Sequence, residues 1–175
     1  MRALVVFESM FGNTEQVAES VAEGLRDYLE ADVVDVATSP SAHAGDYDVI
    51  VLGAPTHAFS LSTRRSRRDA WLRGARAGVM RYGLRDWIAE LAPPHAAVTA
   101  VFDTRARRLR LLPGSARTAA QLLRRKGAAS LTTPHSFYTL SERGPLADGQ
   151  LERAREWGVA LAILAGASPR TGSWP

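Results

Sequence analysis

Cysteine is absent from this sequence, and lysine nearly so. Without a thiol the chain can form no disulfide, iron–sulfur cluster or thiolate zinc site, and it has no cysteine nucleophile. Lys126 is the only lysine among 22 basic side chains, so almost every fixed positive charge is a guanidinium. Long apolar runs are missing too. The longest, Trp157–Ala167, falls well short of the ~20 residues that span a bilayer. The run Ala3–Phe7 lies between Arg2 and Glu8. It is shorter than the hydrophobic core of a secretory signal, about 7–15 residues. The expectation is therefore a cytoplasmic protein with no membrane insertion. No segment repeats at a fixed period and none is of low complexity. His43, His95 and His135 stand at no ligand spacing and the carboxylates form no metal pattern, so no metal site is expected.

What remains is an ordinary globular composition, 175 residues with 46% hydrophobic and 23% charged side chains. That length suits one domain, about 100–200 residues by the usual prior. The charge is unevenly placed. Residues 1–63 hold two arginines against ten carboxylates, a net of −8. Residues 64–110 hold twelve arginines against four carboxylates, a net of +8. The middle segment is a candidate electropositive patch, or else a solvated helix face. Its arginines at 64–68 and 105–110 are not interleaved with aromatics in any nucleic-acid motif, so no nucleic acid is expected as a partner.

Strand and helix patterns alternate along the chain. Ala3–Phe7 and Asp48–Gly53 are apolar without alternation, the mark of strands buried on both faces. Asp32–Val36 suits an edge strand, and Ala96–Phe102 and residues 129–138 complete five strands. Helical spacing appears over 14–30, where Val17, Ala18, Val21, Ala22 and Leu25 share a face, and again over 69–79, 83–92, 115–126 and 150–166. Thr38–Gly45 is a loop, Pro93-Pro94 closes a helix, and Ser168–Pro175 is a frayed tail after a domain of residues 1–167. Strands alternating with helices give a parallel sheet with helices on both faces. Ligands of such sheets bind beyond the carboxyl ends of the strands. That directs attention to loops 8–14, 54–66 and 103–114.

The first of these reads Glu8-Ser-Met-Phe-Gly-Asn-Thr14. It lacks the Gly-Lys-Ser/Thr of a Walker loop and the three glycines of a dinucleotide fingerprint. It can nonetheless cradle a phosphate. Ser9, Asn13 and Thr14 offer polar side chains, Gly12 permits close approach, and the helix that follows turns its first amides outward. Strand, Ser-Met-Phe-Gly-Asn-Thr, then amphipathic helix resembles the flavodoxin family, whose phosphate loop is usually Ser/Thr-x-Thr-Gly-x-Thr. Two further loops carry the resemblance, Gly53-Ala-Pro-Thr-His-Ala-Phe-Ser60 and Phe102-Asp-Thr-Arg105.

That resemblance implies a three-layer fold with sheet order 2-1-3-4-5 and FMN as the cofactor. It puts the phosphate on Ser9, Met10, Phe11, Gly12, Asn13 and Thr14. It puts the ring between Pro55, Thr56, His57, Ala58 and Phe59 on one side and Asp103, Thr104 and Arg105 on the other. The sequence departs from the family pattern at Phe11, where a threonine is usual. The second flanking loop also lacks an aromatic, since Phe102 suits the core. The function implied is electron transfer between redox partners, more that of a carrier than of an autonomous oxidoreductase. The alternative is an FMN-dependent NAD(P)H:quinone or nitro-compound reductase, with Arg64, Arg65, Arg67 and Arg68 recognising the nucleotide. A partner protein or small acceptor of acidic character is expected to dock near residues 57–68 and 103–110. A receiver-type signalling domain is excluded, because Gly53-Ala54-Pro55 stands where the phosphoacceptor aspartate would be.

Overall fold

The apolar runs that open the chain and follow Asp48 lie side by side at the centre of one parallel sheet. A computed structural model of the protein describes residues 1–38, 44–92 and 97–169. β1 (Arg2–Phe7) pairs with β2 (Glu30–Asp35) on one side and β3 (Val49–Pro55) on the other. β4 (Val98–Ala106) follows β3, and beyond it lie β5 (Ala129–Ser130) and β6 (His135–Thr139). The order is β2-β1-β3-β4-β5, as expected, with every pair parallel.

The last position differs from the single strand expected over 129–138. Two short strands occupy it, and both pair with β4. Leu131 still donates its N–H to Thr99 O at 2.8 Å. Pro134 then has no N–H for the ladder, and pairing resumes at His135.

Side-chain alternation sorts two cores. Ala3, Val5, Phe7, Val49, Val51, Ala100 and Phe102 face α1 (Asn13–Arg26) and α5 (Gln150–Leu164). Leu4, Val6, Ile50, Leu52 and Val101 face α3 (Leu84–Glu90) and α4 (Ser115–Arg125). Phe102 is a core residue, edge-on to Phe137 at 5.7 Å and to Trp157 at 6.0 Å. α2 (Arg64–Leu72) packs Ala70 against Met10 of the first loop instead. Among the described residues no helix is long and apolar enough to cross a membrane.

Several boundaries move. α1 stops at Arg26 rather than residue 30, because Glu30 is claimed by the ladder opposite Arg2. Leu29 is buried all the same, from the turn rather than the helix. α2 starts at Arg64, since Thr63 and Ser66 form a reciprocal capping box, and a separate 3₁₀ turn follows at Ala77–Met80. β4 runs to Ala106 rather than Phe102, because β6 supplies hydrogen-bonding partners for its polar end. Residues 39–43 of the expected loop, with His43, lie outside the described residues, as do Pro93-Pro94, His95, Ala96 and the tail from Arg170 onward.

α1 and α5 cross at two glycines. A Cβ on Gly24 would sit 2.0 Å from Arg155 O, and one on Gly158 would sit 2.1 Å from Val21 O. Both obstacles are backbone, so no rotamer change relieves them. Gly158→Ala is expected to force the helices apart and destabilise the fold by about 1–3 kcal/mol or more. Gly45→Ala, with nothing within 4 Å of the added methyl, should change little. Urea unfolding of the two variants checks this, and equal midpoints would show that the crossing yields without cost.

Candidate functional site

Three segments meet at the carboxyl end of the sheet. The first leaves β1 at Phe7. Ser9 is fully buried, and its Oγ accepts from Gly12 N at 3.1 Å and from Glu15 N at 3.4 Å. This folds the loop back on itself and satisfies one of the amides at the start of α1. Gly12 has φ 87, a left-handed conformation that its lack of a Cβ makes accessible. Asn13 Nδ2 donates to Arg143 O at 3.1 Å, tying the loop to the segment after β6. Thr14 Oγ1 and Thr104 Oγ1 share a hydrogen bond of 2.7 Å across the base of the site. The N–H groups of Phe11, Asn13 and Thr14 find no acceptor among the described residues.

The second segment leaves β3 at Pro55. Thr56 N donates to Thr104 O at 2.9 Å, and Thr56 Oγ1 accepts from Ser115 N at 3.0 Å. His57 and Ser60 exchange two backbone hydrogen bonds of 2.9 Å. The tip between them has φ 45 at Ala58 and 66 at Phe59. Two positive φ values in a two-residue turn are the I′ geometry, here without a glycine. His57 Nε2 is buried with no partner. Burial lowers its pKa first, and the nearby Arg73 guanidinium adds to the effect.

The third segment is the end of β4, which alternation divides. Thr104 faces α1. Asp103 points the other way and accepts from Ala116 N at 3.2 Å, so it caps α4. Gly114 leaves the room it needs, since a Cβ there would lie 2.0 Å from Asp103 Oδ2. Burial raises the Asp103 pKa, and Arg105 opposes the rise. Arg105 Nε is 3.2 Å from Asp103 Oδ1 but out of line for a hydrogen bond, while its Nη atoms donate to Leu112 O and Ser136 Oγ.

Between the segments is a cavity of about 330 Å³. Met10, Phe11, Asn13, Thr14, Pro55, Thr56, His57, Ala58, Phe59, Thr104 and Arg105 line it, which brings together most of the residues singled out in the sequence. Ser9 and Gly12 shape the loop without lining the cavity, and Asp103 belongs to the opposite face. Ala106, Arg108 and Leu109, expected only within the docking range 103–110, also line the cavity, and Arg73, Thr139 and Glu142 were not singled out in the sequence. Glu142 stands 3.6 Å from Arg73 and 3.9 Å from Arg108, bridging two walls. Thr139 ends the last strand and Glu142 lies just beyond it, where the strand-end rule places ligands, whereas Arg73 at the end of α2 has no such signal.

The arginines near the site divide. Arg64, Arg65 and Arg68 are exposed on α2 and do not line the cavity. Arg67, expected among the docking arginines, is 1% exposed. It donates to Asp86 at 2.8 Å and to Ser62 Oγ at 3.1 Å. Glu8 is buried beside it and accepts from Leu84 N at 2.8 Å, with Oε1 unpartnered. His135 is structural, stacked on Trp157 at 5.1 Å.

The order of strands, the three layers and the cavity at their carboxyl ends define a flavodoxin-like α/β protein. A flavodoxin-domain family model matches residues 4–66. Flavodoxin 1 of Bacillus cereus superposes with a TM-score of 0.66 at 22% identity, over 93% of this chain and 97% of its own. A flavodoxin of Streptococcus pneumoniae TIGR4 gives 0.64 at 20% identity, over 93% and 99%. A flavodoxin from the domain Archaea gives 0.65 at 16% identity, over 95% and 99%. The family-model match is confined to residues 4–66, and the described chain as a whole has the flavodoxin-like fold.

Burial raises the Glu8 pKa above its ordinary 4.5, outweighing the opposing Ser62, Leu84 and Arg67 contacts. The unfolded chain therefore releases this proton at lower pH than the folded one. Glu8's contribution to stability is full below the ordinary carboxylate range and is lost as pH rises through it toward the folded value. Glu8→Gln removes that loss. Its unfolding free energy should gain on the wild type as pH is raised from about 4 to 7. Urea titrations across that range test the point, and parallel curves would refute it.

Proposed function

We propose that the protein binds FMN without a covalent bond and transfers electrons between redox partners, with residues 1–167 as its single cofactor domain. One observation carries the reading. The amides of Phe11, Asn13 and Thr14 lack internal acceptors at one end of a cavity whose remaining walls are mostly uncharged. Such amides suit a phosphate dianion, and the helix dipole adds to the attraction. The segment Pro55–Phe59 and the segment Thr104–Leu109 suit the two faces of a planar ring. FMN would supply one- or two-electron chemistry, and the protein would set access and potential.

The chain's own residues have definite parts in this. Thr104 can donate to Thr14 Oγ1, which leaves the Thr14 proton for a phosphate oxygen. His57, held neutral by burial, can present Nε2 as an acceptor or donor inside the cavity. Leu109 and Phe59 would cover the ring with apolar side chains. No observation favours the reductase alternative, because the exposed α2 arginines stand outside the cavity.

A hydrogen bond to a charged group contributes about 1.5–3 kcal/mol. Thr14→Ala should therefore weaken FMN tenfold or more. Riboflavin, which lacks the phosphate, should bind the variant and the wild type alike. Fluorescence titration with both ligands decides, and equal losses would show that the loop does not hold a phosphate.

Glu142 sets the charge at the cavity mouth by offsetting Arg73 and Arg108. A unit charge about 7 Å from an added electron, at an effective dielectric of about 20, is worth roughly 2.4 kcal/mol. That is on the order of 100 mV for one electron. Exposure and salt cut it by about half or more. Glu142→Gln should raise the midpoint potential of the FMN-loaded protein by tens of millivolts, and Arg73→Gln should lower it. Spectroelectrochemical titration measures both, and shifts of the same sign would exclude a charge effect.

A further inference from the structure

Beside the cavity mouth stands a ridge that cofactor binding does not use. After β4 the chain makes a 3₁₀ turn at Arg107–Leu109 and continues as Arg110-Leu111-Leu112 toward α4. Leu111 is 89% exposed and Leu112 43%, and Leu140, which shares a groove with Arg107 and Arg110, is 62% exposed. Large aliphatic side chains exposed together mark contact surfaces. Arg107, Arg108 and Arg110 are exposed among them. Neither Arg107 nor Arg110 meets a carboxylate within ion-pair distance among the described residues, and Arg108 reaches only Glu142, at 3.9 Å. Arg107 and Arg110, with Tyr138, Leu140, Asp148 and Gln150, line a groove of about 360 Å³ next to the cavity.

We propose that residues 107–112 and Leu140 form the docking surface for a protein that presents carboxylates around an apolar centre. Charge complementarity selects that partner. Residues 107–112 carry three arginines, against Glu142 beside Arg108 and Asp148 in the groove, so the surface keeps a positive excess that steers acidic groups toward it, and the leucines then hold the contact. A membrane fits less well, because a single 3₁₀ turn offers none of the long apolar face of an interfacial helix. Arg108 and Leu109 line both the ridge and the cavity, so a docked partner would sit within reach of the proposed flavin. The electron-transfer role of the surface rests on the FMN reading, whereas binding by the ridge does not.

The probe is a fluorescein-labelled peptide of Glu-Glu-Leu repeats, with Glu-Glu-Ser and Lys-Lys-Leu versions as controls, titrated onto the full chain and read by anisotropy. The Glu-Glu-Leu peptide should bind about tenfold more tightly than the Glu-Glu-Ser peptide, as burial of one or two leucines requires. The Lys-Lys-Leu peptide should not bind. Leu111→Ser with Leu112→Ser should erase the tenfold preference and leave the salt dependence intact. Arg107→Gln with Arg110→Gln should weaken both acidic peptides and flatten their salt dependence. If the double leucine variant melts early, Leu111→Ser alone gives the same comparison. Equal affinities for the two acidic peptides would overturn the proposal. So would stronger binding to phosphatidylglycerol vesicles that the leucine variant abolishes. So would concentration-dependent dimers that the same variant dissolves. FMN titration of the same samples separates the readings. Peptide binding without FMN binding would refute the flavin and leave the ridge, and the converse would refute the ridge alone.

Discussion

The carboxyl end of β4 is gripped on both edges, and the position of the cavity walls depends on that grip. On one edge β3 pairs through Pro55 opposite Thr104, and Thr56 N closes one further bond to Thr104 O. On the other, β6 pairs from Phe102 to Ala106. A polar strand end held from both sides cannot relax into a loop, so its side chains keep strict alternation. Thr104 is thereby fixed against Thr14, and Asp103 against the first turn of α4. The two hydrogen bonds pull opposite helices toward the same strand. A slip of one residue would exchange them, burying a carboxylate under the first loop and leaving the α4 amides unmet.

Beneath the first loop, the polar cluster of Glu8, Ser62, Arg67 and Asp86 opposes the same economy of burial that makes the sheet. Two ionisable side chains there are almost fully desolvated. Removing charges from water is costly unless partners restore the lost hydrogen bonds. Asp86 and Ser62 restore two for Arg67, and Leu84 N restores one for Glu8. Gly83 makes the arrangement possible, because a Cβ there would stand 2.5 Å from Arg67 Nη1 and 2.9 Å from Glu8 Oε2. The cluster links α2 and α3 to Glu8, the first residue of the loop. It therefore positions the loop rather than lining the cavity.

Apolar periodicity made the central strands, α1 and the layer order legible, since Ala3–Phe7 and the Val17–Leu25 stripe admit few other readings. The first and second loops were legible from residue type at the strand ends. Polar strand residues were not. Asp103-Thr-Arg105 reads as loop because nothing local announces that β6 will pair with it. Arg67 was hidden for a related reason. Among Arg64, Arg65, Arg67 and Arg68, only three-dimensional packing singles out the one that turns inward to Asp86. The pairing of Glu142 was hidden by distance along the chain, because Arg73 and Arg108 lie on two other elements. Pairings between remote polar residues leave no periodic trace, whereas burial does.

The turn at His57–Ser60 joins these constraints to the chemistry of the cavity. Left-handed backbone costs a residue with a Cβ roughly 1–2 kcal/mol, and Ala58 and Phe59 both adopt it. The surroundings hold the turn in that state. The paired bonds between His57 and Ser60 close it, Leu61 and Ser62 are fully buried just beyond it, and Thr56 is tied to both β4 and α4. The result is a stiff wall, and what it presents is uncharged, since burial keeps His57 neutral. On the facing wall, Arg105 is held by Leu112 O and Ser136 Oγ, and Arg108 shares Glu142 with Arg73. Backbone donors without an internal acceptor are concentrated at one end, at the amides of Phe11, Asn13 and Thr14. A ligand that is neutral and flat over most of its length and dianionic at one tip matches that distribution. A ligand charged throughout does not.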